Sequence, residues 1–439
     1  MKKRVKLLLG ILTFVLLLGA CKKLPVEEGS NVVDGIGNSV KEEDKGENEE
    51  LGKDTSTEEF LPEEGAVLKF RSSDKEFAKA IAEKFYEKYG VQVLTEEGGL
   101  YDFSKGVLEG ATGEGPDVFM SPHDKTLEGI GAGIYLEFDN KLVDNLKNEI
   151  SEVAMKTVTV DGKVYGVPVS IETNVMFYNK DLVTGEPANS FEQIKEEALA
   201  YNDTKNNKFW FLSNVCEGSP IFPMLSTYGF RLFGENGADD NKPGFETEEF
   251  LKGLSVLADY KSIMPIPSGD LANADFLTTQ FMEGKTAYII GGPWNVKALR
   301  EAGVNFGVTK LVTYDGRQQY PFSFVQNAHV SAYTKYPKAA QLLAEFLVSK
   351  EGAELLYTKA SKISSRANPS EISGLKDDLD LIAITEAFNN SVPMPSAKRI
   401  SYYWTISANI GPAVFDGKMT AEEGAKKAVD DWNAFLQAE

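Results

Sequence analysis

A two-lobed α/β fold, with a ligand cleft between the lobes and hinge strands crossing it, is what this sequence predicts from three observations. Residues 67–94 alternate strand, helix and strand at the length of a βαβ unit, which requires a parallel sheet. The same alternation returns after residue 190, giving two αβ halves rather than one large sheet. Between the halves lies Gly162-Lys-Val-Tyr-Gly-Val-Pro168-Val-Ser-Ile-Glu172-Thr-Asn-Val-Met-Phe-Tyr-Asn-Lys-Asp-Leu182, two extended runs separated by a single carboxylate. A charged group interrupting a strand that leaves one packed body for another is what a hinge lining a cleft requires. The same residues also fit a surface strand carrying a solvated Glu172.

The chain has 439 residues, 42% of them hydrophobic and 26% charged, which is globular composition with enough length for two cores. Both halves need the amino-terminal stretch removed first. Met1–Lys6 is basic and Leu7–Ala20 is apolar, a run shorter than the roughly 20 residues of a membrane span. Residues 1–20 therefore read as a secretory signal peptide. Leu18-Gly19-Ala20-Cys21 resembles a bacterial lipobox, which implies cleavage before Cys21 and its lipidation. Residues 21–64, rich in Glu, Gly, Ser and Asn, cannot bury a core and read as a disordered acidic linker. With Cys21 acylated, Cys216 has no intrachain partner, so packing and not cross-linking must hold the fold. The net charge of −20 disfavours nucleic acid and anionic lipid, and suits a neutral ligand.

Along the folded part, Val67–Phe70 is a strand, and Phe77, Ile81, Phe85 and Tyr89 form one helical face that stops at Gly90. Val91–Leu94 is the next strand and Asp117–Met120 another, followed by the polar turn Ser121–Lys125. Pro168 lacks an amide proton, which places its strand at a sheet edge or a crossing. Ser190 and Gln193 form a capping box for a helix to about Tyr201. Lys208–Leu212 reads as a strand and Ser213–Pro220 as a loop. Helical patterns cover Glu248–Lys261 and Asp275–Glu283; Thr286–Ile290 is a buried strand running into Gly291-Gly292-Pro293-Trp294 and a helix start. Ala328–Ala332 is a strand, Pro337 opens a helix, and Thr420 with Glu423 caps the last one.

Metal and nucleophile chemistry find little support. His123 and His329 are the only histidines, and no paired Cys or His spacing exists. His123 beside Asp124 fits a catalytic pair less well than a turn histidine, and Cys216 near Glu217 reads as a packed thiol. Gly129-Ile-Gly131-Ala-Gly133 falls in a helix-like stretch, not after a strand as a dinucleotide loop would. What remains is carboxylates with tryptophans at strand ends: Asp124, Glu172 and Glu217, with Trp294 and Trp404. Carboxylates accept charge-assisted hydrogen bonds from hydroxyls, and aromatic faces cover the C–H faces of a sugar ring. Together they point to carbohydrate.

From about Gly65 onwards the chain resembles the family 1 extracellular solute-binding proteins of ABC importers, in particular the maltose/maltodextrin-binding branch. The residues that carry the likeness are Gly115-Pro-Asp117 with His123-Asp124-Lys125, Gly162-Lys163 through Glu172 to Tyr178-Asn-Lys-Asp-Leu182, and Gly291-Gly-Pro-Trp294 with Val304–Val308. Ala344-Glu-Phe-Leu347 with Glu351-Gly352 completes them. The resemblance implies a periplasmic-binding-protein-like (type II) fold, with lobes made of 65–170 plus 327–373 and 174–322 plus 378–439. Its hinge crossings would lie near Ser170–Asn174, Gln326–Ala328 and Ser370–Asp380. It also implies that Asp74, Lys75, Asp124, Lys125, Glu172 and Glu217 bind sugar hydroxyls, and that Trp294 and Trp404 stack on rings. The sequence departs from that branch at Ser121 (a third stacking Trp there), Ser219 (Tyr), Thr405 (Tyr) and Ala408 (Arg); Tyr402 and Tyr403 are the candidates to compensate.

The expectation is thus a binding protein without catalysis, cofactor or metal. A monomer on the outer face of a bacterial membrane would pass an oligosaccharide to ABC permease subunits. Three alternatives stay open: ferric-ion binding through Tyr402 and Tyr403, a secreted glycosidase using two of Asp124, Glu172 and Glu217, and a sensor or adhesion lipoprotein.

Overall fold

The computed structural model describes residues 60–99, 103–235 and 237–439; the signal peptide, Cys21 and most of the linker lie outside the described residues. The expected βαβ unit is present: β1 (Val67–Ser72), α1 (Lys75–Tyr89) and β2 (Gln92–Glu97), with the strands parallel. Phe77, Ile81 and Phe85 of α1 are buried, and Gly90 ends the helix in the left-handed conformation that glycine adopts without strain. α2 (Phe103–Thr112) then leads to β3 (Val118–Pro122), parallel to β1. The turn after it is a single 3-10 turn, His123–Lys125, running into α3 (Thr126–Gly131). That helix holds Gly129, where a side chain would collide with the Tyr135 ring. α4 (Asn140–Glu149), α5 (Glu152–Met155) and the hairpin β4 (Thr159–Val160) and β5 (Lys163–Val164) bring the chain to the hinge.

β6 (Val167–Thr173) and β7 (Val175–Asn179) are separated by Asn174 alone, and they belong to different sheets. After β7 come α6 (Phe191–Tyr201), β8 (Phe209–Leu212), α7 (Gly218–Ser226), α8 (Glu248–Asp259), α9 (Ser268–Leu271) and α10 (Ala274–Met282). The expected loop at Ser213–Pro220 is therefore shorter, because Gly218 already begins α7. Pro220 fits in its first turn, where amide protons have no intrahelical acceptor. β9 (Thr286–Gly291), α11 (Pro293–Glu301), β10 (Phe306–Thr309) and the hairpin β11 (Thr313–Tyr314) and β12 (Arg317–Gln318) complete the second body.

β13 (Phe322–Val330) returns to the first sheet, followed by α12 (Pro337–Val348), α13 (Lys350–Ala360), β14 (Ile363–Ser364), α14 (Leu379–Asn389), β15 (Val392–Pro393), α15 (Ile400–Phe415) and α16 (Ala421–Ala438). The strand expected at Ala328–Ala332 thus starts at Phe322, where Ser323 already pairs with Thr173. Two sheets result. The first has the order β14-β6-β13-β3-β1-β2, with β15 on β13; the second is β10-β7-β9-β8. Pro168 is consequently not on an edge strand. It sits in β6 between β13 and β14, beside a register shift at Gln326/Asn327, an irregularity that tolerates the missing amide. Each sheet carries its own core. Leu68, Phe70, Phe85, Val118, Leu343 and Leu347 lie in the first, and Phe177, Phe211, Phe222, Leu254, Tyr288 and Trp432 in the second. The acidic segment before β1 is tied down where Glu63 accepts the Lys338 and Ala339 amides at the start of α12.

Candidate functional site

Strand ends from both sheets gather where the chain passes from β6 to β7. β1 and β3 are parallel, and β3 and β6 are each antiparallel to β13, so all three reach the same edge of the first sheet. Register aligns them: Pro122, Gln326 and Ser170 are cross-strand partners in a row. Asp124 lies two residues beyond Pro122, Glu172 two beyond Ser170, and Asp74 two beyond the end of β1. In the second sheet β8 and β9 are parallel and β7 is antiparallel, and Gly291 pairs with Val175 at the start of β7. Glu217 follows β8 and Trp294 follows β9. Carboxyl ends of strands are where open α/β sheets hold ligands.

Asp74 and Glu172 are brought together by a residue that the sequence did not single out. Lys362, just before β14, places Nζ 2.9 Å from Asp74 Oδ2 and 3.3 Å from Glu172 Oε1. The second Glu172 oxygen accepts from Gln326 Nε2 at 3.2 Å. Burial opposes the ammonium, but the Glu172 and Asp74 charges outweigh it and hold Lys362 above the usual lysine range. Lys75 is exposed at the first turn of α1. Asp124 accepts the Trp404 indole N–H at 3.1 Å, a bond from the first sheet's loop to α15. Lys125 pairs with Glu128 at 2.8 Å.

Glu217 is exposed at the N-cap of α7, where it accepts from Asn214 Nδ2 at 2.9 Å. Next to it, a side chain on Gly218 would meet the Trp404 and Tyr403 rings, so α7 starts hard against α15. Ser219 receives a 2.8 Å hydrogen bond from Asn174. Trp294 is 46% exposed, its ring lying where a side chain on Gly292 would have to go. The other two tryptophans serve the fold: Trp210 donates to Glu197 at 2.7 Å, and Trp432 is buried among Phe233, Phe245 and Tyr402.

Several expectations need correction. Tyr403 does not reach the crevice; it is fully buried and its hydroxyl donates to the Gly218 carbonyl at 2.8 Å. Burial pushes its phenol well above the usual range. Tyr402 turns the other way and donates to Glu439 at 2.8 Å. The two hydroxyls therefore do not converge, which removes the tyrosine pair needed for ferric ion. Ser121 is buried and offers nothing to the crevice. His123 has both ring nitrogens engaged: Nδ1 accepts the Val325 amide at 3.1 Å, so Nε2 carries the proton it gives to the Met394 carbonyl at 3.1 Å. Burial lowers its pKa, and no nitrogen is left for proton transfer with Asp124. Burial, with Asp416 and Glu217 nearby, raises the Cys216 thiol, the wrong direction for a nucleophile. A cavity of about 670 Å3 lies against Asn174, β10 and α14, and none of the residues expected to bind sugar lines it.

The chain is similar to several known solute-binding proteins. The chain is 29% identical over 363 residues to a maltooligosaccharide ABC transporter solute-binding lipoprotein of Streptococcus pneumoniae, covering 81% of this chain and 84% of that one. It is 28% identical over 339 residues to the galactooligosaccharide-binding protein of Bacillus subtilis, covering 75% and 79%. Its structure resembles that of MalX from Streptococcus pneumoniae in complex with maltopentaose, with a TM-score of 0.75 and 27% identity over 84% of this chain and 100% of that one. The family model for bacterial extracellular solute-binding proteins matches residues 80–381. That match spans well over half of the sequence, and the chain belongs to the bacterial extracellular solute-binding protein family.

Proposed function

We propose that this chain captures a neutral oligosaccharide, with maltodextrins as the first choice, and delivers it to the permease of an ABC importer while tethered to the outer face of the membrane through lipidated Cys21. The observation that carries this reading is the convergence of strand ends bearing Asp74, Asp124 and Glu172 from one sheet and Glu217 and Trp294 from the other. The bound maltopentaose of the Streptococcus pneumoniae relative adds to it. In this reading the carboxylates, with Lys75 and Lys125, hydrogen-bond sugar hydroxyls while Trp294 and Trp404 cover ring faces. The lobes are residues 65–170 with 327–373, and 174–322 with 378–439. Sugar taken up on one lobe favours closure through contacts that only the other lobe supplies, and no bond in the ligand is broken.

Ser219, where the maltodextrin branch carries Tyr, and the likeness to a galactooligosaccharide-binding protein favour galacto-oligosaccharides as the second choice. Calorimetric titration with malto-, galacto-, cello- and xylo-oligosaccharides separates the two. Heat with maltotriose supports the first choice, and heat only with galacto-oligosaccharides moves the assignment. Heat with none of these sugars overturns it, as does release of nitrophenol from a nitrophenyl glycoside.

A further inference from the structure

Lys362 is a lysine only 9% exposed, in a loop with no acidic neighbour in sequence. A buried ammonium is retained only where its charge is answered, and both answering groups come from distant chain segments. Glu172 lies in the hinge strand β6 and is itself 5% exposed. Asp74 stands at the N-cap of α1, where an aspartate ordinarily accepts a helix amide, yet its side chain makes no capping bond and turns to Lys362 instead. Forgoing that local bond indicates that the lysine contact dominates its orientation. Gln326 fixes the remaining Glu172 oxygen, so both oxygens of that carboxylate are held.

We infer that Lys362 is a positioning residue of the binding site, locking the Asp74 and Glu172 carboxylates into the one arrangement in which both can accept ligand hydroxyls. This rests on the oligosaccharide reading above. All four residues of the lock are carried by the first sheet, its strand ends or the helix start beside it, so the arrangement stands before the lobes close. The ligand then meets carboxylates already oriented and charged, and no side-chain ordering is left for the moment of binding. The charged groups acting on Lys362 are Glu172 and Asp74, with Gln326 the neutral partner on the third strand. Its stabilising contribution is complete below the ordinary lysine pKa of about 10.4 and fades only in stronger base, so the wild-type lock is constant at neutral pH.

The test is maltotriose titration at neutral pH of the wild-type chain, Lys362→Met, Lys362→Arg and the double variant Lys362→Met/Glu172→Gln, each beside a urea unfolding curve. Lys362→Met should bind roughly tenfold more weakly, the scale of one charge-assisted hydrogen bond. Lys362→Arg, which keeps a cation between the two carboxylates, should recover most of the affinity. The double variant, with no buried carboxylate left unpaired, should fold even if the single variant does not, and bind no more tightly than Lys362→Met. Wild-type affinity in Lys362→Met, or a folded Lys362→Arg that binds as weakly as Lys362→Met, overturns the positioning role. Failure of the wild-type chain itself to bind any sugar overturns the functional reading instead.

Discussion

Asp124 and Glu172 stand at the ends of β3 and β6, the two strands that flank β13 in one sheet, and their partners come from different parts of the fold. Glu172 meets Lys362 and Gln326, both carried by its own sheet and the loops that belong to it. Asp124 meets the indole of Trp404, on a helix packed against the second core. On the proposed reading, rotation of the lobes would leave the first set of bonds intact and break the second, so that one half of the site stands and the other half is made by closure. Differential contact of this kind is what lets a ligand select the closed form, since a ligand that touched both forms equally would shift nothing. The two histidines divide the same way. His329 donates Nδ1–H to the Tyr165 carbonyl, just before β6, at 2.7 Å, whereas His123 joins hinge strand β13 to Met394, which packs in the second core.

The largest expected effect separates the halves by stability. Glu172→Ala leaves a buried ammonium with one carboxylate and the Gln326 amide without its acceptor, and should cost about 3 kcal/mol. Asp124→Ala removes one half-exposed hydrogen bond and should cost about 1 kcal/mol or less. Urea unfolding of both variants at neutral pH measures the difference, and equal losses would break the distinction.

Next in size is the response to acid. Burial depresses His329 to about 4, and its ring lies stacked on Tyr135 with centroids 3.8 Å apart. An unfolded histidine takes its proton near pH 6.5, so the unfolded chain binds more protons between there and pH 4. Stability is therefore whole above about 6.5 and falls by about 3 kcal/mol as pH drops to about 4. His329→Gln should flatten this part of the profile in unfolding curves taken across that range. A slope unchanged by the substitution would assign the acid sensitivity to His123 and the hinge.

Trp294→Ala follows. The ring is nearly half exposed, so stability should hardly change, while sugar affinity should fall by ~1–3 kcal/mol from the lost covering surface. Calorimetry with maltotriose alongside a thermal melt checks both, and unchanged affinity would remove this ring from the site.

Much of this organisation is legible in the sequence because it is local. The βαβ unit, the hinge carboxylate, the Thr420 capping box and the Gly-Gly-Pro-Trp exit from β9 each announce themselves within a few residues. What was not legible depends on contacts between distant segments. Ala-Ser-Lys362-Ile reads as a solvated lysine, since its partners lie at positions 74 and 172. The start of β13 is hidden by Ser323 and Gln326, polar residues that a hinge strand needs and an ordinary core strand does not. Tyr403 had a usable signal: Ile400, Tyr403, Ile406, Ile410 and Val414 repeat at helical spacing, which puts Tyr403 on the buried face of α15 and leaves Trp404 a third of a turn away, toward the crevice.

The smallest effect addresses closure most directly. Phe at position 404 keeps a ring that can pack edge-on against Phe322 and Tyr403, and lacks the N–H given to Asp124. The loss should be about 1 kcal/mol, the net value of one hydrogen bond. In an equilibrium between open and closed forms that are comparably populated, such a change shifts the ratio several-fold, which small-angle scattering detects as a larger mean radius. Trp404→Phe should therefore be more extended than wild type without sugar and indistinguishable from it when saturated, because ligand contacts then supply the closing energy. Identical scattering without sugar would mean that the indole–carboxylate bond accompanies closure without holding it. Closure would then have to rest on His123 and the hinge strands themselves.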